Sequence, residues 1–172
     1  RVHRRGSGVF GADHRAGRPR TRAVAEQAIL RLDPGSSTPT NLTAGGTNVV
    51  VPLAVAVAAN GNLYVADAVT GVVHIDSVTK QQTVVAGPQI VGSAIGIAVD
   101  GSNNIFVADM ANHRVVRIDG QTGATNAFTS PMFASPVGIA VENNGHLLVS
   151  DPDALDTAGA VFSLNPNDGT IV

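Results

Sequence analysis

A stretch of fifteen residues recurs three times along this chain, at a spacing of 42 residues. The copies are LAVAVAANGNLYVAD at Leu53–Asp67, IGIAVDGSNNIFVAD at Ile95–Asp109 and VGIAVENNGHLLVSD at Val137–Asp151. They align without a gap, and the Asn/Gly-rich turn falls at the same place each time. A repeat of this length dominates the fold, because each copy forms one structural unit that buries its apolar face on the next.

Each copy continues with two further short apolar runs that are separated by turn residues. In the first copy these runs are GVVHID at 71–76 and QQTVVAG at 81–87. Alternating runs rich in Val and Ile predict strands, and four strands per 40–45 residues are typical of a β-propeller blade. The sequence therefore predicts an all-β fold, a partial β-propeller of about 3.5 four-stranded blades.

The blades are predicted to occupy residues 23–172 and a separate head residues 1–22. The blade boundaries follow the repeat, with a partial blade at 23–46 and full blades at 47–88, 89–131 and 132–172. The head matches no part of a blade and holds seven of the chain's arginines against one acid, Asp13, a charge of about +6. We interpret it as a disordered or non-native segment.

Composition excludes several classes of protein. The 172 residues include no Cys, so disulfides and thiolate metal sites are excluded. No apolar run approaches the roughly 18–20 residues of a membrane-spanning helix. The blades carry four Lys and Arg against twelve Asp and Glu, a charge of about −8, which argues against specific nucleic-acid binding. Cytoplasmic and extracytoplasmic locations both fit the composition.

The segment IAVDGSNNIFVADMANHRVVRID at 97–119 resembles the NHL repeat. That family is named for an Asn-His-Leu type triplet, which here reads Asn112-His113-Arg114. The resemblance extends over about residues 28–172, although the other two full blades lack the triplet. It implies a propeller fold, with functions that range from sensing and scaffolding to RNA binding and amidating lyase activity, so it predicts no single function.

An arc of 3.5 blades exposes an apolar sheet face at each end, and soluble monomers do not leave such faces open. NHL-like propellers usually have six blades. Three arrangements therefore stay open: a fragment of a longer protein, a small four-bladed ring, or two copies that together complete one propeller. The abrupt start and the end at Val172 favour a fragment, for which dimerisation is the natural closure.

One set of candidate site residues is repeated in every copy. Asp67, Asp109 and Asp151 each end the second strand of a copy. A catalytic residue is needed only once, so repetition favours a structural role in which the carboxylate accepts backbone N–H groups of the following turn.

Two further sets of candidate residues occur once. The triplet Asn112, His113 and Arg114 is predicted to contact a ligand on the loop face of the propeller. The long loop that contains Asp151, Asp153 and Asp156 is an alternative site, for Ca²⁺ or another divalent cation, because three carboxylates within six residues repel one another unless they are solvated or bridged.

The sequence favours a non-catalytic module that binds a protein or small ligand through its loop face. The predicted inner strands at 53–57, 95–99 and 137–141 carry only Leu, Ile, Val, Ala and Gly, so they offer no converging polar groups. The alternative is a metal-dependent hydrolase or lyase of the propeller class, of the lactonase, esterase, phosphotriesterase or amidating-lyase type. No catalytic residue is assigned.

Overall fold

The computed structural model describes residues 20–24 and 28–171, which form fourteen strands in four antiparallel sheets. The first sheet has the order β1-β2-β3 and the second the order β4-β5-β6-β7; the third has the order β8-β9-β10-β11 and the fourth the order β12-β13-β14. The strands of the first two sheets are β1 (Arg20–Val24), β2 (Ala28–Leu32), β3 (Thr40–Asn41), β4 (Pro52–Val57), β5 (Leu63–Asp67), β6 (Gly71–Ile75) and β7 (Gln82–Ala86). Those of the last two are β8 (Ala94–Val99), β9 (Ile105–Asp109), β10 (Arg114–Ile118), β11 (Thr125–Thr129), β12 (Gly138–Val141), β13 (Leu147–Asp151) and β14 (Ala160–Leu164).

Two short helical segments lie between strands. A 3₁₀ turn (Met110–Asn112) joins β9 to β10, and a single turn, α1 (Ala154–Thr157), joins β13 to β14 and is left-handed from Leu155 to Thr157. After β14 the chain returns to pair Ile171 with Leu164, at the place of a fourth strand of the last sheet. Among the described residues the helical segments have three and four residues, too few to span a membrane.

The tight turns between first and second strands repeat with the sequence. Gly61, Asn103 and Gly145 lie 42 residues apart and all have positive φ angles, of 86°, 64° and 86°. Glycine adopts this left-handed conformation without steric cost, and asparagine is one of the few other residues that tolerate it. The Asn/Gly-rich turn therefore sets the hairpin of each sheet locally.

The sheets stack face to face in chain order, and each interface is a separate apolar core. The first core joins Ile29 and Leu42 to Val55, Val65 and their neighbours; the second joins the second and third sheets, and the third joins the third and fourth. We call the face of a sheet that packs on the following sheet the leading face, and its opposite the trailing face. This stacking confirms the predicted β-propeller fold, with the structure describing an arc of it.

The first strands β4, β8 and β12 pack directly on one another along the inside of the arc. Gly96 shows how tight this approach is, because a Cβ atom built there would lie 2.3 Å from the carbonyl oxygen of Val137. The small residues of the innermost strands thus permit a close approach of β8 to the segment that enters β12.

The first sheet begins earlier than the predicted blade boundary at residue 23. Strand β1 starts at Arg20, whose register partner is Leu32 in β2, so residues 20–22 of the predicted head belong to this sheet. The five-residue segment RTRAV pairs as a strand although it is rich in arginine, like the segment that precedes it. Residues 1–19, the rest of the predicted head, lie outside the described residues.

Candidate functional site

One edge of the arc gathers the loops that sequence analysis singled out. Because neighbouring strands are antiparallel, the segments that enter each first strand and the turns between second and third strands lie on the same edge. We call this edge the loop face; among the described residues it comprises 44–51, 68–70, 87–93, 110–113, 130–137 and 152–159. The triplet and the acidic loop both belong to it.

Asp67 is buried beneath the loop face and holds two loops together. One of its carboxylate oxygens accepts the backbone N–H groups of Val50 and Val51, each at 2.7 Å. The other accepts those of Val69 and Thr70, each at 2.9 Å. The predicted structural role therefore agrees with the contacts of this aspartate, and it extends to the segment that enters the sheet as well as to the following turn.

Asp151 repeats this arrangement in the fourth sheet. Its carboxylate accepts the backbone N–H groups of Ala134 at 2.7 Å and Ser135 at 2.9 Å, both in the segment that enters the sheet. It also accepts the N–H of Asp153 at 3.1 Å, in the turn that follows β13. Asp151 is thus engaged with the backbone on both sides, as Asp67 is.

The entering segments that these aspartates hold are equivalent in the repeat. Each aspartate accepts N–H groups sixteen or seventeen residues before it in the chain. Successive pairs of donors lie 42 residues apart, and they are Val50 and Val51, then Gly92 and Ser93, then Ala134 and Ser135. The carboxylate at the end of each second strand therefore holds the entering segment of its own sheet.

Asp109 departs from this pattern because side chains take the place of some of the backbone N–H groups that donate to the other two aspartates. It accepts the backbone N–H of Ser93 at 2.9 Å, the Asn112 amide at 2.8 Å and the Arg114 Nε at 2.9 Å. The same Arg114 guanidinium donates to the carbonyl oxygen of Ile90 at 2.6 Å. Two of the three triplet residues therefore converge on a buried carboxylate, and only about a quarter of the Arg114 side chain reaches solvent.

The surroundings of Asp109 act on its pKa in opposite directions. Burial by itself raises the pKa, whereas the hydrogen bonds from Asn112, Ser93, Arg114 and Gly92 lower it. The net result is a pKa below the ordinary value, so the carboxylate is held in its charged form. Asp109 is suited to organising the loop face rather than to exchanging protons at neutral pH.

His113 links the third sheet to the fourth. It has a left-handed backbone with φ of 51°, its side chain is exposed, and its Nδ1 hydrogen-bonds to the carbonyl oxygen of Ala134. The N–H of Ala134 in turn donates to Asp151. A bond from Nδ1 to a carbonyl needs the proton on Nδ1, so in this position His113 acts as a donor that joins the two sheets.

The acidic loop does not present its three carboxylates in the same way. Asp151 is buried and bonded to backbone N–H groups, whereas Asp153 and Asp156 are exposed. The described part of the chain contains no group of three or more His, Asp or Glu residues arranged to hold a metal ion. Binding of Ca²⁺ or another divalent cation by Asp151, Asp153 and Asp156 stays a prediction.

The same loop contains three consecutive left-handed residues other than glycine. Leu155, Asp156 and Thr157 have φ angles of 53°, 55° and 72°. The left-handed conformation costs such residues roughly 1–2 kcal/mol each, so surrounding contacts must hold this turn. Ala154 is buried beside it, and the N–H of Gly159 closes the turn onto the carbonyl oxygen of Ala154.

Sequence reasoning missed a set of exposed apolar side chains on the loop face. They lie at the start of the second sheet, in its β5–β6 turn, before the fourth sheet and in the left-handed turn. The residues are Val51, Val69, Met132 and Leu155. The available signal was a large apolar residue beside Pro, Thr or Asp in a segment outside the strands.

A groove of about 410 Å³ lies between the second and third sheets, towards the opposite edge of the arc. Its lining includes Asn62, Tyr64, His74 and Asn103, and the rings of Tyr64 and His74 are 5.1 Å apart. Burial raises the pKa of Tyr64. The groove is separate from the predicted site residues, all of which lie on the loop face or directly beneath it.

Comparison with known proteins supports the fold but no particular family or function. No protein-family model matches the chain, and no curated protein matches its sequence. Solved structures do match, and the neighbours are β-propeller proteins. The four stacked sheets and these neighbours together define the class: this chain has a β-propeller fold.

Three of these structures illustrate the likeness. A nidogen/laminin complex matches with 15% identity and a TM-score of 0.76, over 91% of this chain and 58% of that one. Virginiamycin B lyase from Staphylococcus aureus matches with 12% identity and a TM-score of 0.68, over 95% and 57%. The calcium-binding protein regucalcin from Agrobacterium tumefaciens matches with 19% identity and a TM-score of 0.61, over 87% and 54%. The chain thus spans little more than half the length of each, and identities this low carry the fold alone.

Proposed function

We propose that the chain is a non-catalytic propeller module that binds a protein or small ligand on its loop face. The observation that carries the proposal is the use of the polar groups there. Asp67, Asp109 and Asp151 are buried and bonded to the loops themselves, and Asn112 and Arg114 are bonded to Asp109. Polar groups that are bonded to the loops hold the shape of a binding surface. A catalytic site, by contrast, needs polar groups that converge on a substrate.

We also propose that the blades are of the NHL type. In support, the triplet Asn112-His113-Arg114 has a coherent structural role, because two of its side chains bind Asp109 and the third binds the neighbouring sheet. A triplet with this structural role fits a family signature better than a ligand site, although the other two full blades hold their loops through Asp67 and Asp151 without it.

The exposed apolar residues favour a protein or peptide as the ligand. Val69 and Leu155 lie exposed in turns of the loop face, and Asp153 and Asp156 flank the latter. Protein-binding surfaces combine an apolar centre with a polar rim. We therefore expect a partner segment with apolar and basic side chains, and the nidogen/laminin complex is a propeller-fold precedent for a protein partner.

The test is selection of peptides from a displayed random library on the purified chain. Selected peptides should carry apolar and basic residues and should bind at least about tenfold more weakly to Leu155→Asp, because the substitution places a charge where an apolar contact forms. Val78→Asp is the matched control, since Val78 is exposed on the opposite edge. Equal binding to both variants, or no selected peptide, contradicts the proposal that the loop face binds a protein or peptide.

The alternative function is a metal-dependent hydrolase or lyase of the propeller class. It is favoured by the exposure of Asp153 and Asp156 and by the imidazole of His113 on the same face. A cation bound to the folded chain raises its melting temperature. A rise with millimolar calcium that disappears in the Asp153→Asn and Asp156→Asn variants would support this alternative over the binding module.

We further propose that the chain associates with itself. The proposal rests on exposed apolar side chains at the two ends of the described arc, Leu32 in the first sheet and Leu148 and Val161 in the fourth, since exposed apolar surface is a mark of association sites. Its test is the mass of the protein in solution, which should exceed the mass of one chain and fall on dilution.

A further inference from the structure

The groove between the second and third sheets is open because a smaller residue stands where the repeat has an aromatic one. Phe128 lies on the leading face of the third sheet as the register partner of Val115, and it is only 6% exposed. The residue 43 positions earlier, on the leading face of the second sheet, is Val85, which lines the groove. The second sheet therefore leaves open the space that a phenyl ring fills in the third.

The turns that lie against these two side chains are equivalent. The N–H of Gly123, after β10, donates to the carbonyl oxygen of Asp119 at 2.8 Å. The N–H of Gly169, after β14, donates to that of Asn165 at the same distance. A Cβ atom on Gly169 would lie 3.1 Å from the Phe128 ring, whereas one on Gly123 would meet nothing within 4 Å. The ring thus packs on the turn in one interface, and the same place is open in the other.

The size and the apolar lining of the groove suit a small molecule that contains a ring. Its volume of about 410 Å³ lies within the range of about 300–1,000 Å³ that ligand pockets have. An apolar cavity of about 150 Å³ already holds benzene. Val84 and Val85 line the groove from the second sheet, and Ile105 lines it from the third. A ring of the Phe128 kind therefore fits between the sheets, with room for a second ring or a short substituent.

The second sheet adds polar groups to this apolar lining. Tyr64, Phe106 and Leu148 lie 42 residues apart in the repeat, so Tyr64 alone brings a hydroxyl to this position. Its register partner His74 also lines the groove, and the two rings are 5.1 Å apart. Because burial raises the pKa of Tyr64, its hydroxyl keeps its proton at neutral pH and can donate or accept a hydrogen bond.

The third sheet contributes acceptors. Asn103 lines the groove, and its Oδ1 is buried without a hydrogen-bond partner among the described residues, a state that costs free energy until a donor reaches the atom. Asp119 also lines the groove, and hydrogen bonds from Thr122 and Gln121 lower its pKa, so it is charged at neutral pH. The described residues that line the groove include no Lys or Arg. The groove therefore favours donors and positive charge over anions.

We propose that this groove is a second binding site, for a small aromatic molecule that carries hydrogen-bond donors and no negative charge. The ring of the ligand takes the place that Phe128 fills in the next interface, between Val85 and the turn at Gly123, and its donors face Asn103 and Asp119. Both sheets that form the site have all four strands. The site lies towards the edge opposite the loop face, so it goes beyond the function proposed there and does not depend on it.

Three indole compounds test the site on the full chain. Indole is neutral, tryptamine adds an ammonium group to the same ring, and indole-3-acetate adds a carboxylate. Two-dimensional ¹⁵N–¹H NMR titration measures the affinity and the location together, and the amide signals of Gly120 and Gly123 should shift. Tryptamine should bind about fivefold more tightly than indole, as expected for one ion pair at about 4 Å in water, and indole-3-acetate should bind most weakly.

Three variants test the assignment of the groove. Val85→Phe supplies the ring from the protein itself and should weaken the binding of indole and tryptamine by at least about tenfold. Val69→Phe is the matched control, because it makes the same change at an exposed valine on the loop face, and it should bind as the wild type does. Asp119→Asn keeps an oxygen acceptor for the N–H groups of Gln121 and Thr122, and it should reduce the affinity for tryptamine to that for indole.

Far-UV circular dichroism verifies that each variant is folded. Gly123→Asn is a second blocking variant, since asparagine tolerates the φ of 73° there and its side chain has open space. Absence of binding by all three compounds at millimolar concentration overturns the site, as does binding that both blocking variants leave unchanged or that shifts only amides elsewhere. Tighter binding of indole-3-acetate than of tryptamine, or an unchanged preference for tryptamine in Asp119→Asn, overturns the assigned charge of the ligand.

Discussion

Replacing Asp109 with alanine tests whether the loop face is organised by its buried carboxylates. The substitution removes the acceptor of the Ser93 N–H, the Asn112 amide and the Arg114 Nε. It leaves a guanidinium that is largely buried without its charge partner. Because the removed side chain is small, the lost polar contacts outweigh any cavity.

The expected loss of unfolding free energy is about 3–4 kcal/mol. Breaking a buried ion pair from one side costs roughly 3–5 kcal/mol, and the remaining exposure of Arg114 places the value towards the lower end. Asp153→Ala serves as the control, because that carboxylate is exposed and its φ of −102° suits alanine. Surface substitutions of this kind change stability by about 0.5 kcal/mol or less.

Urea unfolding followed by far-UV circular dichroism measures both variants, at a concentration where light scattering gives them the same mass as the wild type. An unchanged slope with a lower midpoint identifies a true loss of stability. A double-mutant cycle with Arg114→Ala should give a coupling energy of roughly 1–3 kcal/mol between the two residues. A loss below about 1 kcal/mol for Asp109→Ala would refute the structural role and return Asp109 to the candidates for ligand chemistry.

Three further predictions concern pH, backbone strain and the stacked faces. The lowered pKa of Asp109 means that this carboxylate binds a proton more readily in the unfolded chain than in the folded one. Its charged form therefore stabilises the fold fully above about pH 5, and this stabilisation declines as the pH falls below that value. The free energy of unfolding of Asp109→Asn should consequently depend less steeply on pH in the acid range. Thr157→Gly should stabilise the chain by about 0.5–1 kcal/mol in urea, since it relieves a left-handed β-branched residue, whereas Gly159→Ala at φ of 76° should destabilise it. Phe106→Ala should cost about 3–5 kcal/mol, and Leu148→Ala at the equivalent position should cost far less in the monomer; equal losses would contradict the difference in covering.

The candidate site was partly predictable because its components depend on local chemistry. An aspartate at the end of a strand accepts the N–H groups of the following turn, as Asp67 does in the turn after β5. What could not be predicted is the segment that each aspartate holds from a distance. Ser93 lies sixteen residues before Asp109, and Ala134 lies 21 residues after the His113 ring that it binds. These partners meet only because the strands between them pair and the sheets stack.

The amino-acid sequence by itself determined the repeat, the strands and the turns, because alternating apolar residues and left-handed Asn or Gly act over a few residues. Tertiary structure alone decided which equivalent residues are buried. Phe106 and Leu148 occupy the same position in the same pattern, yet only Phe106 is covered. Burial is a property of the neighbouring sheet, and a sequence pattern within one sheet contains no information about whether that neighbour is present.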